Sequence, residues 1–230
     1  MSFSSETGAA ARPDFLFLGG HPAVDFANTL LPPPGPGIEF LPDWNDVIDW
    51  LAQAHLAKEP RLLVPEMGAD EALHQVRTLR YTWRNVLAEI IEGHTVPADF
   101  VAHLNASLAK DTFTEVLRIG NEREFRLVRS DSRLCGEHLA LSILARQIAC
   151  FLDAADLEHL RRCANLESCV LYFYDTTKNH RRRWCSVATC GNRHKVAEFR
   201  LRQRNLPRIG GADSADLFSK PSNRAKNGPV

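Results

Sequence analysis

Four cysteines lie within 28 residues near the C-terminal end of this 230-residue chain, and they form two close pairs. Five residues separate Cys163 from Cys169, fifteen separate the two pairs, and four separate Cys185 from Cys190. Two short loops joined by a spacer of this length can arrange four sulfur atoms tetrahedrally around one zinc ion, at about 2.3 Å each. The spacing therefore predicts a small module that binds one Zn²⁺ per chain.

Other uses of paired cysteines fit the sequence less well. The first twenty residues lack the basic region and the long apolar run of a secretory signal, and no apolar run reaches the roughly 18 residues of a membrane-spanning helix. We therefore expect a cytoplasmic protein without membrane contact, in which stable disulfides are rare. Redox pairs are usually separated by two residues, unlike either pair here. Cys135 and Cys150 stand alone among apolar residues, which predicts small core side chains.

The charges are distributed unevenly, although the formal net charge is zero. Residues 161–208 contain 12 Lys and Arg against 3 acidic residues, whereas residues 1–160 contain 13 against 23. A basic segment attached to an acidic domain is typical of nucleic-acid-binding proteins, although two solvated surfaces that merely differ in charge would give the same counts. The candidate nucleic-acid-binding residues are Arg181, Arg182, Arg183, Arg193, Lys195, Arg200, Arg202 and Arg204.

Some of these cations have a competing use. Four thiolates around Zn²⁺ leave a net charge of −2, which nearby cations can neutralise. The residues equally suited to either use are Arg162, Arg183 and Arg193. Catalysis by the zinc would require an open coordination position, whereas four cysteines close the shell, so we expect no enzyme. A zinc-stabilised protein-interaction module remains the alternative to nucleic-acid binding.

The rest of the chain reads as mainly helical. Apolar residues recur at helical spacing in 44–57 after the N-cap candidate Asp43, in 69–92 before Gly93, after Pro97, and in 134–151. Residues 111–119 and 123–130 alternate like strands around Gly120-Asn121, which predicts a hairpin. The predicted fold class is mainly α (α+β). It comprises a disordered N-terminus (1–14), a helical domain with a small β-hairpin (15–154), a four-cysteine zinc finger of strand, knuckles and helix (155–206) and a disordered tail (207–230).

The zinc module contains its own structural signals. Residues 170–175 have the composition of a strand. After Cys190, Gly191 permits a left-handed backbone and Asn192 is a favourable N-cap, so we expect a helix to begin at Arg193. One strip of that helix is predicted to cover the zinc core and consists of Val196, Phe199 and Gln203. Because the core of the module depends on the metal, we expect zinc removal to unfold it and to spare the helical domain.

A second cluster of polar residues lies in the segment GGHPAVDFANTL, residues 19–30, and consists of His21, Asp25, Asn28 and Thr29. If this segment is buried, its polar groups need hydrogen-bond partners. One use is structural, with the segment bound to Arg77, Arg80 or Arg84, which are spaced by three and four residues along one predicted helix. The other use is a pocket for a small-molecule effector. We favour the structural use.

These motifs together resemble a known family arrangement. The segment RRRWCSVATCGNRHK, with the upstream cysteine pair, Phe173 and Asp175, resembles the CGNR zinc finger, although that family usually has four residues inside its first pair. Residues 19–30 and the helix with Trp44 and Trp50 resemble the ABATE domain that commonly precedes this finger. The resemblance covers residues 15–205. It implies a bacterial stress-related transcription regulator that binds DNA or RNA, and it settles neither the nucleic acid nor the oligomeric state. We expect DNA, with RNA as the alternative.

Overall fold

The structure is a computed structural model that describes residues 13–33, 35–57, 59–111, 115–119, 125–129 and 134–205. For residues 115–119, 125–129 and Asn205 it describes the backbone only. The predicted disordered ends, 1–14 and 207–230, lie outside the described residues apart from Pro13 and Asp14. The predicted Gly120-Asn121 turn lies outside them as well.

Helices dominate the described part of the chain, as the sequence predicts. They are α1 (Pro22–Ala27), α2 (Trp44–Gln53), α3 (Ala69–Ile91), α4 (Ala98–Ala109), α5 (Gly136–Ala154) and α6 (Asn192–Asn205). Short strands form three antiparallel pairs, which are β1 (Leu30–Leu31) with β2 (Ile38–Glu39), β3 (Glu115–Ile119) with β4 (Phe125–Arg129), and β5 (Leu160–Arg162) with β6 (Tyr172–Tyr174). No helix in these ranges combines the length and apolar character needed to cross a bilayer.

Local sequence signals explain where the two most regular helices begin and end. Asp43 caps α2, because its side chain accepts from the backbone N–H of Asp46 while the Asp46 carboxylate accepts from that of Asp43. A cap of this kind contributes about 1 kcal/mol. α3 ends just before Gly93, whose φ of 85° is left-handed. Ile91, an apolar residue of the periodic stretch 69–92, is exposed at the end of that helix.

The main core lies between α1, α2, α3, α4 and α5. α1 is almost completely buried, and Trp83 of α3 donates from Nε1 to the carbonyl oxygen of Ala23 at 2.8 Å. The Trp83 ring also stacks on Phe100 and meets Phe151 edge-on. Leu160 and Tyr172 belong to the same core, although they lie in the C-terminal strand pair. The helices and the β5–β6 pair are therefore packed together.

The two lone cysteines are not core residues, which contradicts the prediction. Cys150 is exposed on α5, since it lies off the buried stripe that includes Ile148 and Phe151. Cys135 precedes α5 and is only half-buried. Its thiol donates to Oε1 of Glu66 at 2.6 Å.

The chain divides into two compact units at the first turn of α6. One unit ends at Arg193, and the other begins at His194 and is described as far as Asn205. We call residues 159–193 the cysteine module. It belongs to the same compact unit as the helical domain, so the expected independence of the two is not supported.

Candidate metal centre and its attachment to the helical domain

The structure brings the four predicted metal ligands together. The Sγ atoms of Cys163, Cys169, Cys185 and Cys190 all lie within 4.8 Å of one another, and all four side chains are buried. Sγ of Cys185 lies 3.7 Å from that of Cys169 and 3.6 Å from that of Cys190. A tetrahedron with metal–sulfur bonds of about 2.3 Å has edges of about 3.8 Å. The residues present therefore fit a tetrahedral metal ion.

Backbone hydrogen bonds hold the first knuckle in place. The N–H of Cys169 donates to the carbonyl of Asn165 at 2.8 Å, which closes the turn between the first two cysteines, and the N–H of Cys185 donates to Sγ of Cys163 at 3.5 Å. Hydrogen bonds from the thiols of Cys169 and Cys185 lower the pKa of Cys163. The contact with Cys163 in turn raises the pKa of the Cys169 and Cys185 thiols. Because metal is bound by thiolates, metal binding must release the protons of these two thiols.

The second knuckle differs from the prediction in two respects. Asn192 is not an N-cap, because its backbone is helical and a π-helical turn, Val187–Gly191, leads directly into α6. Ser186 caps that turn instead, accepting from the N–H of Thr189. Gly191 lies inside the turn rather than in a left-handed conformation. A glycine is needed there because a Cβ would lie 2.6 Å from Cδ1 of Trp184.

Asp175 organises the loop between β6 and the second knuckle. Its carboxylate is fully buried and accepts from the N–H of Thr177 at 3.0 Å, from the Thr177 hydroxyl at 2.6 Å and from the N–H of Arg182 at 2.8 Å. Burial acts to raise the pKa of this carboxyl, but the hydrogen bonds from Thr177 and Arg182 outweigh it and the net pKa is lowered. The loop is thus tied to an ionised carboxylate.

Arg182 has an internal role, in contrast to its prediction as a nucleic-acid contact. Its guanidinium lies 4.5 Å above the Phe173 ring and donates from Nε to the carbonyl of Trp184 at 2.8 Å. It also donates to the carbonyl oxygens of Leu18 and Cys185. This cation therefore connects the second knuckle to the N-terminal segment.

Arg181 and Arg183 are exposed on either side of Arg182. The Arg183 guanidinium lies 4.4 Å from the centre of the Trp184 ring. An open hollow of about 680 Å³ is lined here by Thr177, Lys178, Asn179, Arg181, Arg182, Arg183, Trp184 and Val187. Arg162, at the end of β5, is exposed as well. The cysteine module therefore presents a basic surface beside the metal centre.

The predicted basic residues of α6 are exposed, and these are Arg193, Lys195, Arg200, Arg202 and Arg204. Arg202 pairs with Glu198, with Nη2 and Oε2 3.3 Å apart. Val196 and Phe199, predicted to be buried over the metal centre, are 48% and 62% exposed, and Gln203 is exposed too. The prediction of a buried strip was therefore wrong.

The apolar shell around the cysteines comes mainly from the N-terminal part of the chain, which our sequence reasoning missed. Leu31 and Phe40 share a buried cluster with the four cysteines, Val170, Leu171 and Phe173, and Phe15, Leu16 and Leu18 pack against it. The signal for this role is the apolar run at 15–18, which directly precedes Gly19. This run of four apolar residues matches no helical period, so the sequence alone does not indicate which core it joins.

Asn28 of the polar cluster pairs with the backbone of β6. Its Nδ2 donates to the carbonyl of Tyr172 at 2.8 Å, and its Oδ1 accepts from the N–H of the same residue at 3.0 Å. Two residues further along, the N–H of Tyr174 donates to the carbonyl of Gly19 at 2.7 Å. β6 is therefore bonded to β5 on one edge and to the N-terminal segment on the other.

The other members of the cluster stabilise α1. His21 caps it by accepting from the N–H of Ala23, and burial lowers the pKa of its imidazole. Asp25 accepts from the N–H of Gly19 at 2.7 Å, and burial raises the pKa of its carboxyl to about 6. Thr29 donates to the carbonyl of Phe26.

Two of the three proposed arginines contact the 19–30 segment. Arg80, almost completely buried, donates to the carbonyl and hydroxyl of Thr29 and forms a two-pronged ion pair with Glu39. Arg84 donates to the carbonyl of Ala27 at 2.7 Å. Arg77 donates to the carbonyl of Leu41 instead. These contacts favour the structural use of the polar cluster over an effector pocket.

Comparison with known proteins agrees with this arrangement of modules. No curated protein matches the sequence. Residues 159–203 match the model of the CGNR zinc finger. Residues 20–157, more than half of the chain, match the model of the ABATE family, described as "Putative stress-induced transcription regulator". The chain therefore belongs to the ABATE family and has a CGNR zinc finger as its C-terminal module.

Proposed function

We propose that this protein is a zinc-containing transcription regulator that binds nucleic acid through the basic surface around its four cysteines. The observation that carries the proposal is the set of exposed cations beside a closed, buried four-thiol centre. The family description supports the regulatory part. Such a role is expected in a bacterial cytoplasm.

Zinc is the metal we propose for the centre. Four thiolates in tetrahedral arrangement suit Zn²⁺, whose structural sites commonly have this ligand set. The sulfur distances support the assignment. Because four protein ligands complete the shell, the ion would hold the two knuckles together and would not act as a catalyst. We therefore propose a binding protein rather than an enzyme.

DNA is the proposed nucleic acid, with RNA as the alternative. On an ideal helix Arg193, Arg200 and Arg204 fall on one flank, and a helix is the element that most often enters the major groove of duplex DNA. Guanidinium groups are suited to two-pronged contacts with phosphate or with the edge of guanine. A protein that bound this surface instead of nucleic acid would need acidic side chains to complement the same cluster of positive charge.

Zinc content tests the first part of the proposal. Elemental analysis of the full-length protein should give about one zinc per chain, and Cys185→Ser should lose most of it, because the remaining three thiols no longer complete the shell. Zinc below a tenth of an equivalent in the purified wild-type protein would contradict the assignment.

Duplex DNA binding tests the second part. Arg200→Ala with Arg204→Ala should weaken binding and reduce the slope of log affinity against log salt by about 1.8, if each residue neutralises one phosphate. Arg61→Ala with Lys110→Ala is the matched control, since it removes two exposed cations outside the basic segment. Equal affinities for the two double variants would refute the role of α6. RNA of the same sequence, measured in parallel, decides between the two nucleic acids.

A further inference from the structure

The basic hollow beside the metal centre has a composition that suits a polyanion. Lys178, Arg181 and Arg183 are exposed along it. None of the residues that the structure describes along its walls is acidic. The neighbouring Asp175 is buried and already accepts three hydrogen bonds, so it does not offset this charge at the surface. An anionic ligand would therefore meet cations on several sides.

The loop that forms the hollow is held by internal contacts. His180 has a left-handed φ of 47°, its N–H donates to the carbonyl of Thr177 at 3.1 Å, and its Nδ1 lies 2.9 Å from the carbonyl oxygen of Asp175. The Arg182 side chain is held by backbone carbonyls, so its two neighbours project outward from a fixed segment. A ligand binding there loses less affinity to loop ordering than it would on a free loop.

Arg183 and Trp184 form a flat platform at the edge of this hollow. The guanidinium lies 4.4 Å from the centre of the indole ring, and the indole lies against Gly191, where an added Cβ would be 2.6 Å from its Cδ1. Arg183 is exposed, so a ligand can reach its guanidinium from solvent. An arginine plane can stack on an unpaired base, and its edge can donate to phosphate oxygens.

We propose that this hollow binds a nucleotide of a single strand, with its base stacked on Arg183 and its phosphates bound by Arg181 and Lys178. The inference rests on the proposed function and specifies the form of nucleic acid that this part of the surface recognises. An unpaired base has a free face for the platform, whereas a base inside a duplex is stacked on its neighbours. Contacts to phosphate alone would not distinguish a single strand from a duplex.

The test compares single strands with a duplex of the same sequence, using the full-length, zinc-loaded protein and fluorescein-labelled 12-nucleotide DNA and RNA. Arg183→Lys keeps the charge and removes the planar platform. We expect it to bind single strands about tenfold more weakly than wild type, which is within the contribution of one stacked base. Its affinity for the duplex and its salt slope should remain unchanged. Arg181→Ala should reduce the salt slope on single strands by about 0.7.

Tryptophan emission gives an independent readout. Trp44, Trp50 and Trp83 are buried, whereas Trp184 is half-exposed, so quenching by a bound oligonucleotide reports mainly on the platform. Single strands should quench the wild-type protein and not Arg183→Lys. If Arg183→Lys binds and quenches like wild type, charge alone explains binding and the platform is refuted, while the proposed function stands. If wild type binds neither single strands nor duplex, both fail.

Discussion

Asn28→Ala is expected to be the most informative single change in the helical domain. The Asn28 side chain is 1% exposed and forms two hydrogen bonds with the backbone of Tyr172, 144 residues away. Removing it leaves a donor and an acceptor of β6 without this partner. Because β6 directly follows Cys169 and the buried Val170 and Leu171, the loss should affect both the helical domain and the metal centre.

The expected loss of stability in Asn28→Ala follows from the two lost hydrogen bonds. A buried backbone group left unpaired costs about 1–3 kcal/mol, so two such groups give about 2–6 kcal/mol in the free energy of unfolding. The total free energy of unfolding of natural domains is about 5–15 kcal/mol, so this loss would be a large part of it. For a chain of this size each kcal/mol shifts the melting temperature by about 2–4 °C, so a loss near 3 kcal/mol lowers it by about 6–12 °C.

Thermal unfolding followed by circular dichroism at saturating zinc measures the loss of stability in the helical domain. The rate of zinc transfer to a colorimetric chelator measures the effect on the metal centre. Asn105→Ala is the matched control, because Asn105 is exposed on α4 and such changes usually stay within about 0.5 kcal/mol. Asn28→Asp keeps one acceptor and loses the donor, so it should also destabilise. A loss below 0.5 kcal/mol in Asn28→Ala, or zinc transfer at the wild-type rate, would refute the reasoning.

Three further changes test other contacts. Zinc removal by EDTA should reduce the helical signal in the same transition that releases the metal, because the cysteines share a buried cluster with Leu31 and Phe40. A native helical signal in zinc-free protein would contradict this. Asp25 has a folded pKa raised from 3.8 to about 6, so wild type should lose about 2 kcal/mol relative to Asp25→Asn as the pH rises from about 4 to 7. Urea unfolding of both proteins at pH 4 and pH 7 measures this loss. If the difference in unfolding free energy between wild type and Asp25→Asn is the same at both pH values, the raised pKa is excluded. Gly191→Ala should cost about 1–3 kcal/mol, since its methyl group would clash with Trp184, and an unchanged melting temperature would argue against that contact.

The features that the sequence predicts correctly depend on local spacing. The cysteine pairs are recognisable because tetrahedral coordination restricts the loops that can supply its ligands. The start of α2 at Asp43 and the end of α3 before Gly93 follow from capping and from left-handed backbone, which involve only neighbouring residues. The predicted hairpin is confirmed in the pairing of β3 with β4.

The features that the sequence did not predict depend on partners far away in the chain. Arg181, Arg182 and Arg183 look alike in the sequence, but only the middle one faces the carbonyl oxygens of Leu18 and Cys185. Spacing along one segment does not reveal which backbone groups another segment presents, so these roles required the structure.

The shared packing also determines how the cysteine module can be studied. β6 is three residues long, and its second edge is completed by Gly19 and Asn28. The residues on either side of Asn28, Ala27 and Thr29, accept hydrogen bonds from Arg84 and Arg80 of α3. Metal binding and folding of the helical domain therefore stabilise each other, and by linkage the free energy gained is the same in both directions. A fragment limited to the finger would lose the partner groups of β6 and much of the apolar shell around its thiols. We therefore expect it to bind zinc more weakly than the full chain does. A failure of that fragment to bind nucleic acid would reflect its incomplete core, whereas substitutions in the intact protein test the surface itself.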